Sequence, residues 1–409
     1  MRCTWCLLLL AVLLLVPVRP LLAADQPALT PEEIRAKCAE IDAKCAAAAK
    51  AIDELQALKA ELLRQLGLPA PTPPPAPKPS WTDKLSLSGY FQARYETFSR
   101  DEFSKTTAGA DEDRFGIRRL FVNLMAKSSP RASAVVTWAC TGSDTKQTRV
   151  DLTNVYAEYK LGQRDTVRFG QGPTWFGIEL WQPSSARLPL ERAAFLEGGS
   201  RGKPGGMFAG GRWDRGLWLT HTPQDNAVWP QATLSVVNGS FRNDPVNNDH
   251  ALEVDLKWKP RWGICGVSWL NSEFQQPLDP ETGKGAFVSA WGVGPFQRAA
   301  WLGYVRYEQP RSWALQSEYL GGVANMHTVR GWYGQLEKPF RTVPGTAFVK
   351  YEWYDPSTDT ASDSDVYKAW ILGYAHQLDS NNRLTAQGTW GRMDAKHLNE
   401  TGLQWQCSY

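Results

Sequence analysis

The chain has 409 residues, with 45 Lys and Arg against 42 Asp and Glu, a formal net charge of +3. So slight an excess does not mark a nucleic-acid binder, and five scattered histidines (221, 250, 327, 376, 397) without ligand-like spacing call for no metal or other cofactor. High counts of Gly (34), Trp (19) and Tyr (13) accompany the absence, beyond the first two dozen residues, of any run of 18 apolar residues. That absence excludes a helical membrane protein but not a barrel, in which only alternate residues face lipid.

The opening "MRCTWCLLLLAVLLLVPVRPLLAADQ" has one early positive charge, an apolar stretch from about Trp5 to Val18 and small residues at Ala23 and Ala24. It reads as a secretory signal peptide over 1–24. Residues 25–68 then change character. Thr30 is an N-cap, Pro31 suits the first helical position and Glu33 closes a capping box. Apolar residues follow at Ile34, Cys38, Ile41, Cys45, Ala48, Ile52, Leu55, Leu62 and Leu66, a heptad seam interrupted at Lys59. This predicts an N-terminal α-helical coiled coil, read as a periplasmic, trimer-forming stalk, the alternatives being packing on its own barrel or binding of peptidoglycan through 30–66. Gly67 ends the helix, and "PAPTPPPAPKPS" makes 69–84 a stiff linker. Outside the signal peptide the cysteines (Cys38, Cys45, Cys140, Cys265, Cys407) are an odd, widely spaced set rather than a disulfide framework.

From residue 85 the period switches to two. "KLSLSGYFQARYETF" puts Leu85, Leu87, Gly89, Phe91, Ala93 and Tyr95 on one face and Ser86, Ser88, Gln92, Arg94 and Glu96 on the other. "ALEVDLKW", "GTAFVKYEWY" and "RLTAQGTWG" repeat the pattern, with aromatics on the apolar face as interfacial girdles require. The predicted strands are 85–98, 114–127, 131–141, 150–161, 164–171, 205–221, 231–238, 249–259, 262–272, 298–308, 312–320, 327–338, 345–355, 366–377, 382–392 and 400–409. The fold class is therefore all-β, a 16-stranded antiparallel transmembrane β-barrel over 85–409. Eighteen strands is the alternative, because 205–230 reads as one long strand or a hairpin and 285–292 as strand or loop. Short turns alternate with longer polar loops, the asymmetry of outer-membrane barrels. The final "GLQWQCSY" alternates as cleanly as any stretch, so it is expected to pair with the first strand and leave no open edge.

Several stretches carry a family resemblance: "RFGIRRLFVNLMAK" at 114, "LTNVYAEYKLGQRDTVRFGQGPTWFGIE" at 152, "LPLERAAF" at 188 and "LSVVNGSF" at 234 followed by "ALEVDLKWKP". The chain resembles the phosphate-selective porins O and P. The resemblance implies a homotrimeric bacterial outer-membrane porin of sixteen strands, embedded in lipid, with a third long loop folded inward to narrow the pore. Tyr409 stands where members usually end in Phe.

The candidate constriction is about 172–204, too long for a plain turn. It carries Arg187, Arg192, Arg201 and Lys203 against Glu179, Glu191 and Glu197. Inward parity adds Arg94, Lys160, Arg168, Lys257, Arg298, Arg306, Lys350 and Arg383, balanced by Glu96, Glu158, Glu253, Asp255, Glu308, Glu318 and Glu352. Most of these strand charges are expected to pair across neighbouring strands, whereas the loop arginines are candidates for acting on permeating ions. Enzyme signatures are lacking: there is no GxSxG or HExxH, and "GGSRGKP" has Pro204 where a phosphate loop needs Ser or Thr. The reading is a passive channel for small hydrophilic solutes or ions, leaning to anions such as phosphate. The rivals are a tether joining outer membrane to cell wall and a secreted Trp-rich β-protein.

Overall fold

The computed structural model describes residues 84–409 apart from 101–110, 143–147, 198–205, 209–211, 225–227, 240–249, 276–294, 311, 325–326, 341–342, 360–364 and 394–395, together with scattered positions between 39 and 65. The chain divides into two units, Met1–Ser80 and Trp81–Tyr409. In the first, the described positions from Ala39 to Gln65 are helical and exposed. Glu40 and Lys44, one turn apart, pair at 2.6 Å. The signal peptide, the seam residues of the expected coiled coil and positions 69–83 of the expected linker lie outside the described residues, as does 285–292.

The second unit is a closed antiparallel barrel in which each strand pairs with its sequence neighbours and the last with the first. The first eight strands are β1 (Leu85–Arg100), β2 (Asp111–Lys127), β3 (Ala132–Gly142), β4 (Thr148–Lys160), β5 (Asp165–Pro173), β6 (Trp213–His221), β7 (Gln231–Val237) and β8 (Ala251–Trp258). The second eight are β9 (Gly263–Gln275), β10 (Pro295–Gln309), β11 (Trp313–Ala324), β12 (His327–Phe340), β13 (Gly345–Asp355), β14 (Tyr367–Gln377), β15 (Asn382–Met393) and β16 (Lys396–Ser408). Sixteen strands close the sheet, and the eighteen-strand alternative falls. Several strands outrun their expected bounds, β2 from Asp111 and β16 from Lys396. Apolar alternation marks only the stretch with a greasy face, whereas the hydrogen-bonded ladder continues into polar residues beyond it.

One expected strand is too long. Of the predicted stretch before Trp213, the described residues 206–208 and 212 lie outside β6, which begins at Trp213. Instead Met207 and Phe208 donate their amides to the Phe195 and Leu196 carbonyls at 2.8 Å each. Both side chains are buried in the interior cluster, so apolar burial draws this segment off the wall.

Closure is made by register and by one aromatic. β1 and β16 pair from Tyr90 opposite Ser408 to Arg100 opposite Leu398. The ladder is extended by Gly89 and Tyr409, which exchange N–H···O bonds of 2.9 and 3.1 Å. The Tyr409 hydroxyl reaches over β1 and donates to the Phe121 carbonyl on β2 at 3.1 Å. It passes over Gly89, where a Cβ would lie 2.1 Å from that carbonyl oxygen and 2.6 Å from the Tyr409 oxygen. Only glycine leaves room for the crossing.

Outward-facing residues along the middle of the wall are mostly apolar. Trp269, Trp301, Trp332, Trp370, Trp390 and Trp405 are all more than one-third exposed on β9 to β16. Rings on adjacent strands meet at a tilt: Trp301 with Tyr319 at 5.3 Å and Tyr351 with Trp370 at 4.8 Å. No helix among the described residues is long and apolar enough to cross a membrane, which leaves crossing by strands untouched.

Candidate functional site

Between β5 and β6 the chain turns into the barrel. Its short helices are α1 (Gly177–Trp181) and α2 (Ala194–Glu197). The turn inward is made at Gly177, whose φ of 70° is left-handed and where a Cβ would lie 2.8 Å from Leu302. The Gly177 amide donates to Ser268 Oγ at 2.9 Å. The next two amides, Ile178 and Glu179, both donate to Glu318 Oε1, the latter at 2.9 Å, so a carboxylate from β11 takes up the free donors at the start of α1.

Glu179 then ties the loop to β13. Its Oε1 accepts from Lys350 Nζ at 2.7 Å and its Oε2 from the Ala193 amide at 2.7 Å. Lys350 also lies 4.1 Å above the Tyr333 ring and 3.9 Å from Glu352. Glu352 in turn accepts from the Ala194 amide at 3.2 Å. Apolar residues fill the rest of this footprint: Phe176, Ile178, Leu180, Phe195 and Leu196 pack with inward Leu302, Leu320 and Tyr333.

Arg192 and Arg212 fold the loop on itself. Arg192 donates to the Glu179 and Gln182 carbonyls at 2.6 and 2.9 Å and grips both Glu197 oxygens at 2.8 and 2.7 Å. Arg212 donates to the Leu180 carbonyl and, at 3.3 Å, to that of Gln182. Two cations thus cap the C-terminal carbonyls of α1. Burial pushes the Glu197 carboxyl up, but Arg192 and Arg212, with Arg119 and Arg187 behind them, outweigh it and hold it down at about 2.

On the opposite wall one carboxylate meets three guanidinium groups. Glu191 Oε1 pairs with Arg94 at 2.6 Å and with Arg118 at 2.8 Å, and its Oε2 pairs with Arg118 at 3.0 Å and Arg119 at 3.2 Å. Arg118 and Arg119 were not among the residues that inward parity selects, because strict alternation forbids neighbours on one face. A bulge lifts that rule here: Gln92 faces Arg119, Ala93 faces Ile117, and Arg118 is the extra residue between them. The adjacent arginines in "GIRRLF" were the only sequence signal. Arg212 was missed because it lay in the over-long sixth strand.

Arg187 differs from all of these. Its side chain is buried at 3% exposure, yet none of its three guanidinium nitrogens has a hydrogen-bond partner among the described residues. Its backbone is fixed, since Arg383 donates to the Arg187 carbonyl at 2.9 Å. Burial and then the nearby Arg192 and Arg119 press its pKa well below the usual arginine range. It borders a small, partly open space shared with Gln182, Arg306, Gln316, Gln335 and Glu337. Arg306 there is already held by Glu337 in a two-pronged pair at 2.7 and 2.9 Å.

The remaining sequence candidates are placed as follows. Arg168 pairs with Glu158 at 2.9 Å and lies 4.0 Å over Tyr156. Lys257 is buried against the faces of Trp175 and Trp181, at 4.9 and 4.3 Å. Lys160 is exposed at the end of β4 beside the 161–164 turn, apart from the loop cluster. Arg201 and Lys203 lie outside the described residues. Among the described residues no group of His, Cys, Asp and Glu is arranged to hold a metal.

No family model matches the sequence, and no curated protein does. Solved structures match along the barrel. An anion-selective porin from Comamonas acidovorans superposes with a TM-score of 0.57 at 12% identity, covering 80% of this chain and 99% of that one. This chain has the porin fold. OmpT, an outer membrane protein of Vibrio cholerae in its trimer form, gives 0.54 at 11% identity, over 80% of this chain and all of that one. The outer membrane channel DcaP of Acinetobacter baumannii gives 0.53 at 11% identity, over 80% and 97%. Identities this low establish the porin architecture and leave the solute to be argued from the residues of the loop.

Proposed function

We propose that the protein is an outer-membrane porin: a passive channel for small hydrophilic solutes and ions that favours anions. The observation that carries this reading is the loop lodged inside a closed barrel, with Arg187 buried on it and without a hydrogen-bond partner among the described residues. A buried cation left unpaired is costly, and a passing anion relieves that cost in a low-dielectric constriction far more than it would in water. On the facing wall Arg94, Arg118 and Arg119 gather around Glu191, with Glu96 3.5 Å from Arg94. The anion selectivity named for the Comamonas porin agrees with this sign.

Phosphate as the preferred anion is the finer reading, supported by the resemblance of the 114, 152, 188 and 234 stretches. A homotrimer is supported in the same way and by the trimer form of the Vibrio protein. Residues 30–66 would then stand in the periplasm, as an oligomerising stalk or a peptidoglycan contact.

The test is the reversal potential in a potassium chloride gradient across a planar bilayer. Wild type is expected to favour chloride, Arg187→Gln to lose much of that preference, and added inorganic phosphate to reduce chloride current in wild type more than in the variant. Cation preference in wild type, or selectivity unmoved by the substitution, refutes the role given to Arg187. Insertion without conductance refutes the channel and favours the tether.

A further inference from the structure

We propose that the space beside Arg187 ranks anions by whether they carry a hydrogen-bond donor next to their charge, and so takes hydroxycarboxylates before plain carboxylates. The proposal rests on the channel reading above and names the class of solute that its narrow part prefers.

Two buried side chains that border this space have polar atoms without a hydrogen-bond partner among the described residues. One is Arg187. The other is Gln335 on β12, 3% exposed, whose Oε1 is the unpartnered atom. Chemistry fixes which way its carboxamide points. The Gln335 nitrogen donates to Glu337 Oε1 at 2.6 Å, and a carboxylate paired with Arg306 can only accept, so the nitrogen must be the end that meets Glu337 and the oxygen the end left over. The charged groups around the space, and Gln316, are already engaged. Arg306 is spread over Glu308 at 2.5 Å, Gln316 at 3.0 Å and both oxygens of Glu337. Gln316 accepts that bond and donates its nitrogen to the Tyr333 hydroxyl at 2.6 Å. Glu179 is held by Lys350 and by the Ala193 amide.

The site thus leaves two complementary needs unmet: a guanidinium fork that calls for an oxyanion, and a carboxamide oxygen that calls for a donor. Burying either without a partner is unfavourable. The planar fork suits a carboxylate, which accepts two parallel N–H bonds from it. An anion with an O–H on the carbon beside its carboxylate meets both needs at once. Acetate or chloride meets only that of Arg187 and leaves Gln335 as it was. A site built around a hydroxyl discriminates against the analogue that lacks one for this reason, because its own buried polar group then stays unpaired.

The experiment uses the full chain in a planar bilayer at neutral pH and measures the concentration of added anion that halves the chloride current. Glycolate, acetate and methoxyacetate are all ionised there, and only glycolate carries a donor. On wild type, glycolate is expected to act at a roughly two- to tenfold lower concentration than acetate, the worth of one hydrogen bond. Methoxyacetate, larger but without an O–H, should do no better than acetate. Gln335→Met should bring glycolate to the level of acetate, and Arg187→Gln should weaken all three. Equal action of glycolate and acetate on wild type overturns the proposal, as does methoxyacetate matching glycolate or a glycolate advantage that persists in Gln335→Met. The wild-type ranking decides even where a variant carries no current. Reversal potential reports the channel reading separately: anion preference without a glycolate advantage sinks the donor rule alone, whereas cation preference in wild type sinks the role of Arg187 whatever the ranking.

Discussion

Replacing Lys350 by Met removes the ammonium that holds Glu179 to the wall while keeping an unbranched side chain one atom shorter. At 2.7 Å from Glu179, the gross attraction is about 6 kcal/mol with an effective dielectric of about 20. Most of that is offset by the cost of burying both ions, and the informative quantity is the cost of leaving carboxylates behind. Both partners are at most 2% exposed, and breaking a buried pair from one side costs about 3–5 kcal/mol. Lys350 belongs to a strand clamped on both sides by the ladder, whereas Glu179 belongs to the loop. The loss therefore falls on the docked state of the loop, which should shift by roughly two to nearly four orders of magnitude toward detachment. In single-channel recordings Lys350→Met is expected to give frequent excursions to larger conductance, with the gel shift of the barrel little changed. Adding Glu179→Gln to it should quiet the channel again, because both ends of the pair are then uncharged. A variant as steady as wild type would refute the claim that this pair anchors the loop.

The clamp on Glu197 has a defined acid limit. Its folded carboxyl, at about 2, lies below the ordinary Glu value of about 4.3, so its contribution is complete above the latter and lost as pH falls through the former. Loop noise should therefore stay constant from neutral pH to about pH 4 and rise only in stronger acid. Glu197→Gln should be noisy already at neutral pH, and wild-type noise growing between pH 7 and 5 would contradict the assignment. Tyr409→Phe deletes the hydroxyl bond to the Phe121 carbonyl, worth about 0.5–1.5 kcal/mol; the gel-shift midpoint should fall slightly with conductance unchanged. Gly177→Ala forces a side chain onto a φ of 70° beside Leu302, at a cost of about 1–3 kcal/mol. It should reproduce the excursions of Lys350→Met, and a silent effect on recordings would remove Gly177 from the hinge role.

What the sequence alone determined is the wall. A strand with one face outward and one inward must alternate, residue by residue, and that signal is local enough to read in "ALEVDLKW" or "GLQWQCSY" without knowing the neighbours. The loop was legible through its length and its charges, and its inward path only through the family resemblance. Tertiary structure decided the rest. Arg118 and Arg119 share a face only because β2 bulges against β1, and Met207 and Phe208 stand outside the sheet because they find an apolar cluster inside. The roles of Arg192 and Arg187, equivalent in sequence, separate through contacts: one is saturated by carbonyls and Glu197, the other finds no partner among the described residues. Glu191 meets Arg94 from 97 positions away and Glu179 meets Lys350 from 171. Alternation is a property of one strand, whereas the pairing of a charge depends on which distant segment folding brings beside it.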